Sequence, residues 1–129
     1  MFKHVNNSRK QGDVGLGIAI GYFASKGHCV LVPLTDNQEY DLVIDDGALK
    51  KVQVKTTRCQ KENGNYEVAL QTKGGNQSWS GVAKNFDHTK VDLLFVLTEA
   101  GDKYLFPSDV VPRTKITLCD KYESYKLGG

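Results

Sequence analysis

P-L-T-D-N-Q-E-Y-D-L-V-I-D-D-G-A-L-K-K-V-Q-V-K-T-T, from Pro33 to Thr57, is the stretch that decides the fold. It holds two apolar, β-branched runs, Tyr40 to Ile44 and Leu49 to Thr57, joined by Asp45-Asp46-Gly47. Runs of this kind bounded by Asp and Gly predict a β-hairpin, with Asp-Gly at the turn. Side chains alternate along a strand, so Gln53 and Lys55 share one face while Val52 and Val54 take the other. A polar pair thus stands in the middle of a strand otherwise built for a core. Asp41 opens the run that pairs with it.

Working outward, Gly12 to Lys26 reads as a helix. Val14, Ile18 and Tyr22 recur at four-residue steps, Leu16, Ile20 and Phe23 widen the stripe, and Gly27 stops it. Asp13 falls in its first turn, where the helix dipole favours a carboxylate. The polar segment before it is a basic lead-in or a frayed arm. His28 to Leu34 reads as a short buried strand. On the far side, Asn65 to Thr72 alternates as a strand, and Lys73 to Gly81 is a glycine- and amide-rich loop carrying Trp79. Val91 to Leu97 is the most apolar run and the expected central strand, with Lys103 to Phe106 as its hairpin partner. Lys115 to Leu118 is expected as an edge strand, and Asp120 to Lys126 as a terminal helix or tail. A leading helix followed by strands and short helical pieces predicts an α/β or α+β fold with a mixed sheet.

At 129 residues, 40% hydrophobic and 25% charged, the chain suits one domain with one substantial core, spanning 1–129. The net charge of +2 does not itself call for a nucleic-acid partner. Its distribution says more: between Asp46 and Glu62 stand Lys50, Lys51, Lys55, Arg58 and Lys61 without an acid. That field suits an anionic partner, and equally a strand edge guarded by lysines. Cys29, Cys59 and Cys119 form no metal-binding spacing and suit small buried thiols in a reducing cytosol. No apolar run reaches membrane length and no leader pattern opens the chain.

A carboxylate on one strand, facing an amide oxygen two residues before a lysine on the next, is a metal-and-cation arrangement. Asp41, the Gln53 amide oxygen and the Val54 carbonyl are hard donors of the kind Mg²⁺ accepts, with Mn²⁺ as a substitute. Lys55 would orient a water or neutralise charge growing on a phosphate. Lys51 and Thr57 share its strand parity, and with Lys73 they would line a phosphate path. The same spacing also fits a plain Asp41–Lys55 ion pair across a hairpin.

The pattern D, eleven residues, then Q-V-K, on a hairpin behind an N-terminal helix, resembles the PD-(D/E)xK nuclease superfamily. The likeness is to its branch with glutamine at the second position, which includes small intron-associated homing endonucleases. G-D-V-G, P-L-T-D-N-Q-E-Y-D-L-V-I-D, K-V-Q-V-K-T-T and G-G-N-Q-S-W carry it, in that order, from about Gly12 to Ser108. The resemblance implies a restriction-endonuclease-like core, a mixed sheet flanked by helices. It implies a Mg²⁺-dependent DNA endonuclease, homing-type or otherwise site-specific, acting as a dimer or tetramer in a bacterial or phage-infected cytoplasm. A Holliday-junction resolvase-like nuclease and an inactive DNA-binding module are the alternatives. By position, Asp41 would be the main metal ligand, Gln53 the second and Lys55 the catalytic lysine. Asn76, Gln77 and Ser78 would approach the DNA backbone. Relatives often carry a glutamate on the first helix. Here position 16 is leucine, and Asp13, three residues earlier and on nearly the same face, is the nearby substitute.

Overall fold

The computed structural model describes residues 1–73 and 83–128, with the backbone alone at positions 72, 73 and 83. A long helix, α1 (Ser8–Ser25), leads into a chain of short strands. These are β1 (Cys29–Leu31), β2 (Leu42–Asp45), β3 (Leu49–Thr57), β4 (Tyr66–Ala69), β5 (Thr72–Lys73), β6 (Ala83–Lys84), β7 (Leu93–Thr98), β8 (Lys103–Pro107), β9 (Lys115–Leu118) and β10 (Lys126–Leu127). Two 3-10 turns, Ser108–Val110 and Asp120–Tyr125, complete the described elements. Six strands form one sheet in the order β1-β2-β3-β7-β8-β10, antiparallel except for the central β3–β7 pair. The mixed sheet is as the sequence predicts. β4–β9 and β5–β6 are separate two-stranded sheets.

The hairpin forms as its turn chemistry requires. Gly47 sits at φ 111°, a left-handed conformation that suits glycine, and Asp45 accepts the Gly47 N–H at 3.0 Å. Leu42 then faces Val52, and β3 lies in register with β7 so that Gln53 meets Leu94 and Lys55 meets Val96.

The sheet separates two cores. On one side α1 packs Ala19 and Phe23 against Leu42, Ile44, Val52, Phe95 and Leu97. On the other, Leu94, Val96 and Phe106 meet Val68 and Leu70 around β4, Ile116 and Leu118 of β9, and Tyr122. Full burial of one such side chain is worth roughly 1.5–3 kcal/mol. The second face is therefore covered, among the described residues, by a small sheet and 3-10 turns rather than by a second α-helix.

Several local expectations change. α1 begins at Ser8, four residues before the expected start at Gly12, because Asn7 caps it by accepting the Lys10 N–H at 2.8 Å. Its fully buried line is Gly15, Ala19 and Phe23, while Val14, Leu16, Ile18, Ile20 and Tyr22 of the expected stripe are only partly covered. A Cβ at Gly15 would overlap Thr56 Cγ2, so helix and strand approach each other through the missing side chain. β1 is an exposed edge strand, with Leu31, Val32 and Leu34 open to solvent. Cys29 and Cys59 are exposed rather than buried. The lead-in is ordered: Phe2 is fully buried, and Arg58 holds its carbonyl and that of Val5 while pairing with Glu99 at 3.2 Å. The expected edge strand β9 pairs with β4, outside the main sheet.

Candidate metal centre

β2 and β3 bring the predicted trio to one end of the hairpin. The Asp41 N–H donates to the Val52 carbonyl at 2.8 Å, which fixes the residue just ahead of β2. Its Oδ2 accepts the Val54 N–H at 2.7 Å. Among the described residues Oδ1 has no hydrogen-bond partner, and Asp41 borders a cleft of about 210 Å³ shared with Leu16, Pro33, Asp36 and Tyr40. The amide and carbonyl of a strand residue leave on the same side, so the Val54 carbonyl turns toward the same space as its N–H.

Gln53 is only 8% exposed, a costly place for a polar group. Its Nε2 donates to the Glu39 carbonyl at 2.9 Å, yet its Oε1 is buried without a partner. A buried acceptor without a protein partner is one that a water or an ion can meet. Lys55, half-buried, sits one step along the same face.

The electrostatics are those of a crowded pair. Asp41 keeps a solvent-facing side, but crowding of its carboxyl pushes its pKa up, more than the Val54 N–H and the Lys55 ammonium draw it down. Burial pushes the Lys55 pKa down, against the opposing pull of Asp41 and Glu39. Burial thus disfavours the charged form of both groups. The donor set is of the kind a hard divalent cation takes: a carboxylate oxygen, an amide oxygen without a partner and a backbone carbonyl. It does not contain three convergent His, Cys, Asp or Glu among the described residues.

The remaining predicted residues scatter. Lys51 is half-buried beside the trio, its Nζ 5.8 Å from the centre of the Tyr40 ring, while its backbone N–H donates to Asp92 at 2.8 Å. Thr57 is buried, its hydroxyl donating to the Glu67 carbonyl at 2.5 Å and accepting the Cys59 N–H at 3.0 Å. It ties β3 to β4 instead of lining a phosphate path, a correction that follows from its hydroxyl being used inside the protein. Asp13 is exposed on α1, and Leu16 occupies the wall of the cleft. Asn76, Gln77 and Ser78 lie outside the described residues, as does the Lys73 side chain. Glu39 escaped sequence reasoning altogether, since its tie to Gln53 runs through a backbone carbonyl that no pattern marks.

Residues 6–124 match the family described as PD-(D/E)XK endonuclease. The chain belongs to that family. A solved bacterial homing endonuclease, I-Ssp6803I, is similar over 93% of this chain and 87% of its own, at 30% identity and a TM-score of 0.69. No curated protein shows significant sequence similarity. Nucleases of the PD-(D/E)XK family generally use divalent metal ions, and the hairpin trio of this endonuclease-family chain stands in that light. No described helix is long and apolar enough to cross a membrane.

Proposed function

We propose that the protein is a Mg²⁺-dependent DNA endonuclease of homing or other site-specific type, hydrolysing phosphodiester bonds as a dimer or tetramer. The observation that carries this reading is the bare, buried Gln53 Oε1 beside Asp41 and Lys55, in a chain of the endonuclease family. The likeness to a bacterial homing endonuclease supports the homing type.

Asp41 Oδ1, Gln53 Oε1 and the Val54 carbonyl would hold the ion. Once bound, Mg²⁺ polarises a phosphoryl oxygen and acidifies a coordinated water. Asp41 is kept in place for this by the Val54 N–H. The Lys55 ammonium neutralises the charge that gathers on the phosphate as the water oxygen bonds to phosphorus and the bond to the leaving deoxyribose oxygen breaks. Lys51, at the rim, attracts the incoming backbone phosphate. A symmetric pair of copies would reach both strands of a duplex.

The test is cleavage of supercoiled plasmid carrying a library of candidate sites, with Mg²⁺ or with EDTA, wild type beside Lys55→Ala. The reading expects nicking or linearisation that EDTA stops and that Lys55→Ala lowers by about a hundred- to a thousandfold, the scale of losing one preorganised stabilising group at the reacting centre. Salt-sensitive binding without product under any metal would instead establish a DNA-binding module. That second reading draws on one observation: the absence of a third convergent carboxylate, His or Cys among the described residues.

A further inference from the structure

The trio brings a single carboxylate to a divalent cation, which leaves part of the ion's charge for other groups to balance. Asp41 is a lone carboxylate, Gln53 is neutral, and the nearby Lys55 ammonium repels any cation that enters. An amide and a carbonyl add dipoles but no charge. In a partly desolvated site this imbalance is costly.

The segment before Asp41 offers a remedy. It runs alongside β3, tied at two points: the Asp41 N–H to the Val52 carbonyl at 2.8 Å and the Gln53 Nε2 to the Glu39 carbonyl at 2.9 Å. The second tie fixes Glu39 beside the very side chain whose Oε1 is buried and bare. Glu39 is half-buried, and among the described residues it forms no ion pair. Asp36 also borders the cleft, but no hydrogen bond ties it to β3 among the described residues.

We propose that the Glu39 carboxylate is the second anionic ligand of the hairpin's divalent-cation site, joining Asp41 and the Gln53 amide oxygen. This rests on the metal-centre reading. Gln53 then has two roles: its Nε2 sets the Glu39 backbone and its Oε1 meets the ion. With Glu39 and Asp41 both engaged, the two carboxylates balance the ion and leave the Lys55 charge free for the phosphate. Glu39 supplies the charge that glutamine at position 53 does not.

The experiment is calorimetric titration of Mn²⁺ into the intact, DNA-free protein, using wild type, Glu39→Gln, Asp41→Asn and Asp36→Asn. Circular dichroism and melting in EDTA confirm that each variant is folded, and the rise in melting temperature at saturating Mn²⁺ gives a second reading of affinity. The expected result is at least a tenfold weaker Mn²⁺ affinity in both Glu39→Gln and Asp41→Asn, with Asp36→Asn like wild type. Affinity lost in Asp41→Asn but kept in Glu39→Gln would overturn the role of Glu39 and leave the metal centre standing. Weakening in Asp36→Asn with none in Glu39→Gln would move the ligand to the cleft wall, again overturning it. Wild type without Mn²⁺ binding, or Asp41→Asn binding like wild type, would remove the metal centre itself and this inference with it.

Discussion

The two faces of β3 are built to opposite rules. Toward α1 the strand presents Val52, Val54 and Thr56, and the helix closes on them through Gly15, near enough that one added carbon would overlap Thr56. Toward the other side it presents Gln53 and Lys55, one with a bare buried oxygen and the other with its ammonium disfavoured by burial. Complementary packing is what the first face optimises. The second tolerates unmet polar groups within the same nine residues. The close packing on α1 and the candidate centre thus lie on opposite faces of β3, with Thr57 returning the second face to a structural tie with β4.

The sharpest way to break this division is to make the second face carry more charge. Gln53→Glu removes the donor to the Glu39 carbonyl and sets a carboxylate oxygen against it. In EDTA this should cost about 3 kcal/mol in urea unfolding, the scale of a buried charge without a full complement of partners. Mn²⁺ should recover much of it. Equal loss with and without Mn²⁺ would mean that position 53 faces no ion.

A smaller effect is expected on the packing face. Gly15→Ala gains about 1 kcal/mol of helix propensity but overpacks against Thr56, for a net loss of about 1–2 kcal/mol. In a Thr56→Ser background the obstructing methyl is gone while the hydroxyl that accepts from Gln11 at 2.8 Å remains. There the same substitution should stabilise, and melting curves of the four proteins read the change of sign. A loss of the same size in both backgrounds would show that the contact is not the cause.

The smallest expected effect is in pH. The Lys55 pKa is lower in the folded protein than in the unfolded chain, so the unfolded state holds more protons between those two values. Stability contributed by Lys55 is therefore present above its unfolded value and fades as pH falls through the folded one. In EDTA, wild type should gain on Lys55→Met, by less than about 1 kcal/mol, as pH is raised from 7 toward 10. A constant difference across that range would place the ammonium in open solvent.

The parts of the molecule that were legible in the sequence are those set by local rules. The Asp-Gly turn and the alternation through Val52, Gln53, Val54 and Lys55 define the hairpin and put the polar pair on one face. The apolar run at Leu93–Thr98 marks the strand beside it. What was hidden depends on the third dimension. α1 looks like a helix that buries all its large residues, but the close approach at Gly15 puts Gly15 and Ala19 on the buried line with Phe23 and leaves the other large ones partly covered. β1 reads as a core strand because Val30, Leu31 and Val32 are apolar, yet it lies at the sheet's edge, where one side of the strand has no neighbour. Thr57 has the right parity for the site but meets β4, whose position no pattern around β3 announces. Glu39 lies in an irregular segment without periodicity, and only its tie to Gln53 reveals it.

The hairpin turn at Gly47 also sets the order in which the centre can come together. Asp41 and Gln53 are close in sequence and joined by a tight turn, so a hairpin of this kind closes within microseconds. The parallel neighbour β7 must return across the whole intervening chain from Thr57 to Leu93, a far longer closure. The chemistry of this molecule should therefore be drafted before its scaffold is finished. Pulse-labelled amide exchange during refolding should find the Val54 N–H, held by Asp41, protected before that of Phe95.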